Sequence, residues 1–200
     1  MIIVIVGWLF WQLGPFAAVF AISNLSDPAK LASLPKRGAN SRLNKIVYWL
    51  DHARNRGMTP EKAIAWAQLI NGCREPRAGM VQTELLRNLR IAEELGLLTS
   101  ENKEHLRRGQ GGIVTRGPYF GEPVEIDHIV PISLAPEVGN ELANLEMLPK
   151  TLNRAKSNAV GERQVSHAKR LLNAGLLTPE SYQRVVAQAS LKPIKKKTRL

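Results

Sequence analysis

The spacing of hydrophobic positions divides the chain into segments of different period. Residues 1–22, MIIVIVGWLFWQLGPFAAVFAI, carry no charged side chain and are more apolar than anything after them. A membrane-spanning helix needs about 20 such residues, and here Gln12, Gly14 and Pro15 interrupt the middle. An export signal is the other reading. Its apolar run, Ile2 to Leu13, meets a Gly14-Pro15 breaker and small residues ending in Val19-Phe20-Ala21, a suitable cleavage site, although no basic start precedes it. The segment is thus a signal peptide or a membrane anchor. The two readings place the rest of the chain on opposite sides of a membrane. Lys30, Lys36, Arg37, Arg42 and Lys45 favour the cytoplasmic side if the segment stays as an anchor. A buried core helix is not expected, because a helix apolar on every face needs a larger protein around it.

Residues 23–43 mix Ser, Pro, Gly and Asn with charge and read as a linker. From 44 to 108 the period is helical. Ile46, Trp49, Leu50 and Ala53 form one stripe, Ala63, Trp66, Ala67 and Ile70 a second, and Val81, Leu85, Leu89, Ala92 and Leu95 a third, with both tryptophans expected in the core. One phrase recurs at uneven spacing: Gly57-Met58-Thr59-Pro60-Glu61, Gly96-Leu97-Leu98-Thr99-Ser100-Glu101 and Gly175-Leu176-Leu177-Thr178-Pro179-Glu180. It reads as a helix corner rather than a repeat: glycine closes one helix, an apolar residue plugs the corner and threonine caps the next. After Gly109-Gln110-Gly111-Gly112 the pattern changes. Strand-like pieces lie at Val124–Val130 and Leu145–Leu148, and helix resumes near Thr151 and runs with breaks to about Ala189. Residues 192–200 form a basic tail. The pattern predicts an α+β chain, mostly helical.

Charge narrows the partner. Lys+Arg number 28 against 17 Asp+Glu, for a net +11, which favours a polyanion: nucleic acid or an anionic membrane surface. Cys73 is the only cysteine, which excludes intrachain disulfides and multi-cysteine zinc sites.

The chemistry concentrates at Glu125-Ile126-Asp127-His128-Ile129-Val130-Pro131, where an acid and an imidazole interrupt an apolar run. Burying both without partners costs several kcal/mol. If the second strand and the short helix after it fold back, Asp127, His128, Asn144, Asn153 and Lys156 come within reach of one another. Asp127 and Asn153 are oxygen ligands suited to a hard divalent cation, Mg²⁺ above all, with Mn²⁺ or another ion admissible. His128 titrates in the range of a general base. Arg154 and Lys156 are suited to phosphate oxygens, and Lys150 adds to a basic face. These parts describe metal-assisted phosphodiester hydrolysis.

The block Gly117-Pro118-Tyr119-Phe120-Gly121-Glu122-Pro123-Val124-Glu125-Ile126-Asp127-His128-Ile129-Val130-Pro131, with Asn144-Leu145 and Asn153-Arg154-Ala155-Lys156-Ser157-Asn158 after it, resembles the HNH endonucleases and their ββα-metal motif. The resemblance implies two short antiparallel strands plus a helix, within a nuclease core at 113–158, set between a helical region at 44–108 and another at 159–191. It implies His128 as general base, Asp127 and Asn153 as metal ligands, and Asn144 as the residue that braces the loop and orients the base. Arg154 and Lys156 fall where the family often carries basic residues. Many relatives also hold a structural zinc on cysteine pairs. Here the corresponding positions are Pro149 and Leu152, so no structural zinc is expected. Because neighbouring strand residues face opposite ways, the strand is expected to lose its alternation at Asp127-His128.

Three functions follow. The first is a metal-dependent endonuclease acting on DNA, or also RNA. The second is a non-catalytic nucleic-acid-binding protein, and the third a membrane-associated basic protein acting through residues 1–22 and the lysine tail.

Overall fold

The computed structural model describes residues 2–157 and 159–191, with side chains from residue 14 onward. In chain order the elements are α1 (Ile2–Ser26), α2 (Pro28–Ala32), α3 (Ala39–Arg54), α4 (Pro60–Ile70), α5 (Arg77–Glu94), α6 (Ser100–Arg108), β1 (Val124–His128), β2 (Leu145–Pro149), α7 (Lys150–Lys156), α8 (Glu162–Asn173) and α9 (Pro179–Ser190). Short 3-10 turns lie at Pro136–Val138 and Leu142–Asn144. The fold is α+β and mostly helical. Among the described residues the one sheet is the antiparallel pair of β1 with β2.

The recurring phrase builds the corners. Gly57 and Gly96 sit at φ 82° and 69°, where a Cβ would be strained by about 1–2 kcal/mol. Met58, Leu97 and Leu177 plug the three corners and are buried. The hydroxyls of Thr59, Thr99 and Thr178 accept hydrogen bonds from the amides of Lys62, Asn102 and Ser181, satisfying donors that the helix itself leaves open.

At the centre is α3, whose Leu43, Ile46, Val47, Leu50 and Ala53 are fully buried against α1, α4, α5 and α6. The stripe on α5 packs toward β2. Asn88 of α5 finishes that strand's free edge: its Nδ2 donates to the Leu145 carbonyl and its Oδ1 accepts from the Met147 amide, both at 2.9 Å. One buried amide thus takes the place of a third strand.

Residues 23–43 are built into the fold rather than forming a linker. Asp27 caps α2, Leu31 is buried, and Asn140 bonds the carbonyls of Leu34 and Pro35 and the amide of Ala39. Polar composition suggested a solvated segment, yet these polar groups have fixed partners. Trp66 departs from expectation too, because it is 36% exposed. Residues 1–13 lie outside the described side chains, as the basic tail lies outside the described residues. The later part of α1 does enter the core, through Ala18, Val19 and Ile22 packed on α3 and α4. Among the described residues no helix is long and apolar enough to cross a membrane.

Candidate active site

The strand carrying Asp127 and His128 keeps its register to the end. Asp127 pairs with Glu146 and His128 with Leu145, and β1 stops there. The expected loss of alternation does not occur. Instead the two side chains meet different elements, and the end of the strand, rather than a bulge, lets the chain turn away.

His128 is 5% exposed and bonds through Nε2 to the Gly139 carbonyl at 2.8 Å. A carbonyl can only accept, so Nε2 carries the proton and Nδ1 is the basic nitrogen. Desolvation pushes the imidazole pKa below its usual value, aided by the charges of Arg37 and Lys156; the Gly139 bond and the Asp127 carboxylate oppose it. The ring is therefore neutral, and able to accept a proton, at physiological pH.

Asn144 holds the loop that holds His128. It is fully buried. Its Oδ1 accepts from the Val130 amide at 2.9 Å, and its Nδ2 donates to the carbonyls of Val130 at 3.0 Å and Val138 at 3.4 Å. The Val138 contact places the clamp next to Gly139. None of these bonds reaches the imidazole, so Asn144 is a positioning residue acting through the backbone.

On the opposite side, α7 lies across both strands. Glu122 secures its start by accepting from the Thr151 amide and hydroxyl at 2.9 and 2.8 Å. Lys156 Nζ donates to Asp127 Oδ2 at 2.6 Å and to the His128 carbonyl, and lies 3.3 Å from Glu146 Oε1. Asn153 is drawn to Glu125 rather than Asp127, its Nδ2 donating to Glu125 Oε2 at 2.6 Å. Arg154 is exposed and Lys150 half-buried, and no hydrogen bond holds either side chain among the described residues. The structure thus brings Lys156 to Asp127 and to the His128 backbone at the end of β1, sets Asn153 against Glu125 further back along the strand, and leaves the His128 imidazole on Gly139 with Asn144 behind that loop.

Sequence reasoning missed the support beneath this site. Glu146, directly across from Asp127, is fully buried and takes Arg87 at 2.8 Å, Arg163 and Lys156. Desolvation acts to raise its carboxyl pKa, but the hydrogen bonds from Arg163 and Arg87 outweigh it and hold the group below the usual carboxylate range. Arg87 also reaches buried Glu84 at 3.2 Å, and Glu84 takes Arg170 at 3.0 Å. His167 is 2% exposed. Its Nε2 bonds the Ala143 carbonyl at 2.9 Å, and its Nδ1 lies 2.8 Å from Arg170. A run of alternating charges therefore joins α5, β2, α7 and α8. The signal was available: Glu146 interrupts an apolar strand as Asp127 does.

Among the described residues no three His, Cys, Asp or Glu side chains form a metal-holding group. A hard cation that keeps most of its waters asks for less, one or two protein oxygens. Asp127, with 22% of its side chain exposed, and the Asn153 amide oxygen are donors of that kind, and Glu125 lies on the same strand face two residues from Asp127. The ammonium on Asp127 Oδ2 shows that positive charge is accommodated there. Oxygen donors of this class are those that Mg²⁺ or Mn²⁺ takes, here with Asn153 drawn to Glu125 and Asp127 to Lys156. Compared with known proteins, the chain matches no family model, no curated protein and no solved structure.

Proposed function

We propose that the chain is a metal-dependent endonuclease of the HNH kind, hydrolysing phosphodiester bonds of DNA. The observation that supports this best is the state of His128: buried, with Nε2 spent on the Gly139 carbonyl and Nδ1 left as the base, at the strand end where Lys156 bonds Asp127 and the His128 carbonyl. Nδ1 takes a proton from a water as the water oxygen forms its bond to phosphorus. The ester P–O bond opposite then breaks, and the leaving oxygen collects a proton from solvent. Held by Asp127 and the Asn153 amide oxygen, a divalent cation would supply stabilisation of the charge developing on the phosphate and the leaving oxygen. Asn144 keeps the base aimed by fixing the loop that carries Gly139. Lys156 and Arg154 attract phosphate oxygens, and the surplus of +11 draws the polyanion to the protein.

Lys156 also favours a second reading. Its ammonium already neutralises Asp127, as suits a protein that binds nucleic acid without cutting it. A plasmid-nicking assay with Mg²⁺ or Mn²⁺, against a chelator control, separates the two. The expected result is metal-dependent nicking that His128→Ala and Asn153→Ala largely abolish. Nicking by His128→Ala at the wild-type rate removes this site from the reaction. Salt-sensitive DNA binding with no nicking under any metal leaves the non-catalytic reading standing.

A further inference from the structure

Half of the large apolar side chains exposed among the described residues lie on α1 and α4: Phe16 (40% exposed), Phe20 (65%), Trp66 (36%), Leu69 (78%) and Ile70 (54%). The two helices run in the same direction, since Phe16 stacks on Trp66 with ring centroids 5.5 Å apart, and Ser23 further along bonds Asn71 just past α4. Phe16 and Phe20 are four residues apart, and Leu69 and Ile70 follow Trp66 by three and four, so each set lies on one helix face. The result is an apolar strip parallel to both helix axes. Upstream, α1 continues to Ile2 through IIVIVGWLFWQL, a sequence without a charge.

We propose that this strip rests flat on an anionic phospholipid surface, with α1 retained as part of the folded protein. Three observations select a bilayer over other occupants. Aromatic rings and a lysine lie together at the strip, where Lys62 Nζ lies 4.9 Å from the Trp66 ring centroid, a pairing suited to the interface of lipid and headgroup. The chain's net +11 complements anionic headgroups. Upstream of the strip, α1 continues as helix from Ile2 with no charged residue in its sequence.

The packing also decides how α1 can meet the lipid. Ala18, Val19 and Ile22 are buried against α3 and α4, so from residue 18 on the helix stays docked on the protein, and at most residues 2–17 could enter a bilayer on their own, about 24 Å of helix at 1.5 Å per residue. That falls short of the roughly 30 Å hydrocarbon core, which favours lying in the interface over spanning it. Cleavage after Ala21 would remove Ala18 and Val19 from the core and cut α1 just before the Ser23–Asn71 bonds. An export signal is thereby replaced by a retained anchor. This reading is independent of the nuclease proposal.

The test is co-sedimentation of the full chain with phosphatidylcholine vesicles, with and without a quarter phosphatidylglycerol. Wild type is compared with the double variant Phe20→Ser, Leu69→Ser, whose folding is checked by circular dichroism. Both side chains are exposed and neither substitution changes the charge. Wild type should partition onto phosphatidylglycerol vesicles, and the double variant about tenfold or more weakly. The mass of membrane-recovered protein should include α1. Equal binding by the two proteins, which charge alone would give, overturns the proposal. So does a lipid-free dimer that the double variant dissolves without any vesicle binding, because a second copy would then cover the strip. A mature chain starting at Ile22 overturns the retained anchor.

Discussion

Replacing Asn144 by alanine removes one buried amide and leaves the Val130 amide and carbonyl without their partner, while the Val138 carbonyl keeps the Glu141 amide. The Val130 amide and carbonyl lose bonds of 2.9 and 3.0 Å, and the Val138 carbonyl one of 3.4 Å. Each of the two short bonds contributes about 1 kcal/mol net, and each backbone group left buried and unsatisfied costs a further 1 kcal/mol or so, so the expected loss is about 3–5 kcal/mol. That is a large share of the roughly 5–15 kcal/mol that holds a domain folded. Urea unfolding followed by circular dichroism measures the loss, and amide hydrogen exchange at Val130 locates it. Nicking activity should fall in parallel, because the Gly139 carbonyl no longer fixes His128. Asn144→Asp should fare no better, since it keeps the acceptor for the Val130 amide but sets an oxygen against the Val130 carbonyl. A loss below about 1 kcal/mol with Val130 still protected would show that the clamp does not hold the loop.

Other consequences can be measured independently. The pKa of His128 is lowered chiefly by desolvation, so its base form persists below pH 6.5, and the acid limb of the pH profile of kcat/KM should have its midpoint below that value; a midpoint above it contradicts the burial argument. His167 is pushed down from 6.5 to about 4 by desolvation. The unfolded chain therefore binds a proton there first, and stability should rise with pH between about 4 and 6.5, by about 3 kcal/mol for this group. His167→Gln should flatten that interval in pH-dependent urea midpoints, and an unchanged slope would refute the assignment. The Glu146 carboxyl is held low, so its contribution is complete above the ordinary carboxyl value of 4.5 and is lost as pH falls through its lowered value. Glu146→Ala leaves Arg87 and Lys156 without their shared acid and should cost about 3–5 kcal/mol in the same assay. Thr99→Ala, which removes the acceptor for the Asn102 amide, should cost about 1 kcal/mol.

Some of this architecture was legible because the information is local. The three Gly–apolar–Thr corners need only the conformational freedom of glycine and the reach of a hydroxyl over three residues. Both strands appear where alternating apolar residues put them, to within two residues. Of the residues expected to gather, Lys156 does reach Asp127, while His128 bonds Gly139, Asn144 the Val130 backbone and Asn153 Glu125. The expected break in alternation at Asp127-His128 failed for a simple reason. A strand can redirect two adjacent side chains by ending, without a bulge, and no local pattern distinguishes the two.

By itself, the sequence determined the mostly helical class, the helix corners, the two strands and which residue types gather at their ends, since period, caps and turns depend on neighbours a few positions apart. Only the tertiary structure decided which partner each polar group takes. Asn153 goes to Glu125 and Lys156 to Asp127 across 28 and 29 residues, and Arg87 goes to Glu146 across 59. Nor could composition show that residues 23–43 are ordered, that Trp66 faces outward, or that the later part of α1 belongs to the core. An acid, an amide or an apolar helix has several acceptable partners along the chain. Which one it meets follows from how the helices pack, and packing is a property of the whole fold.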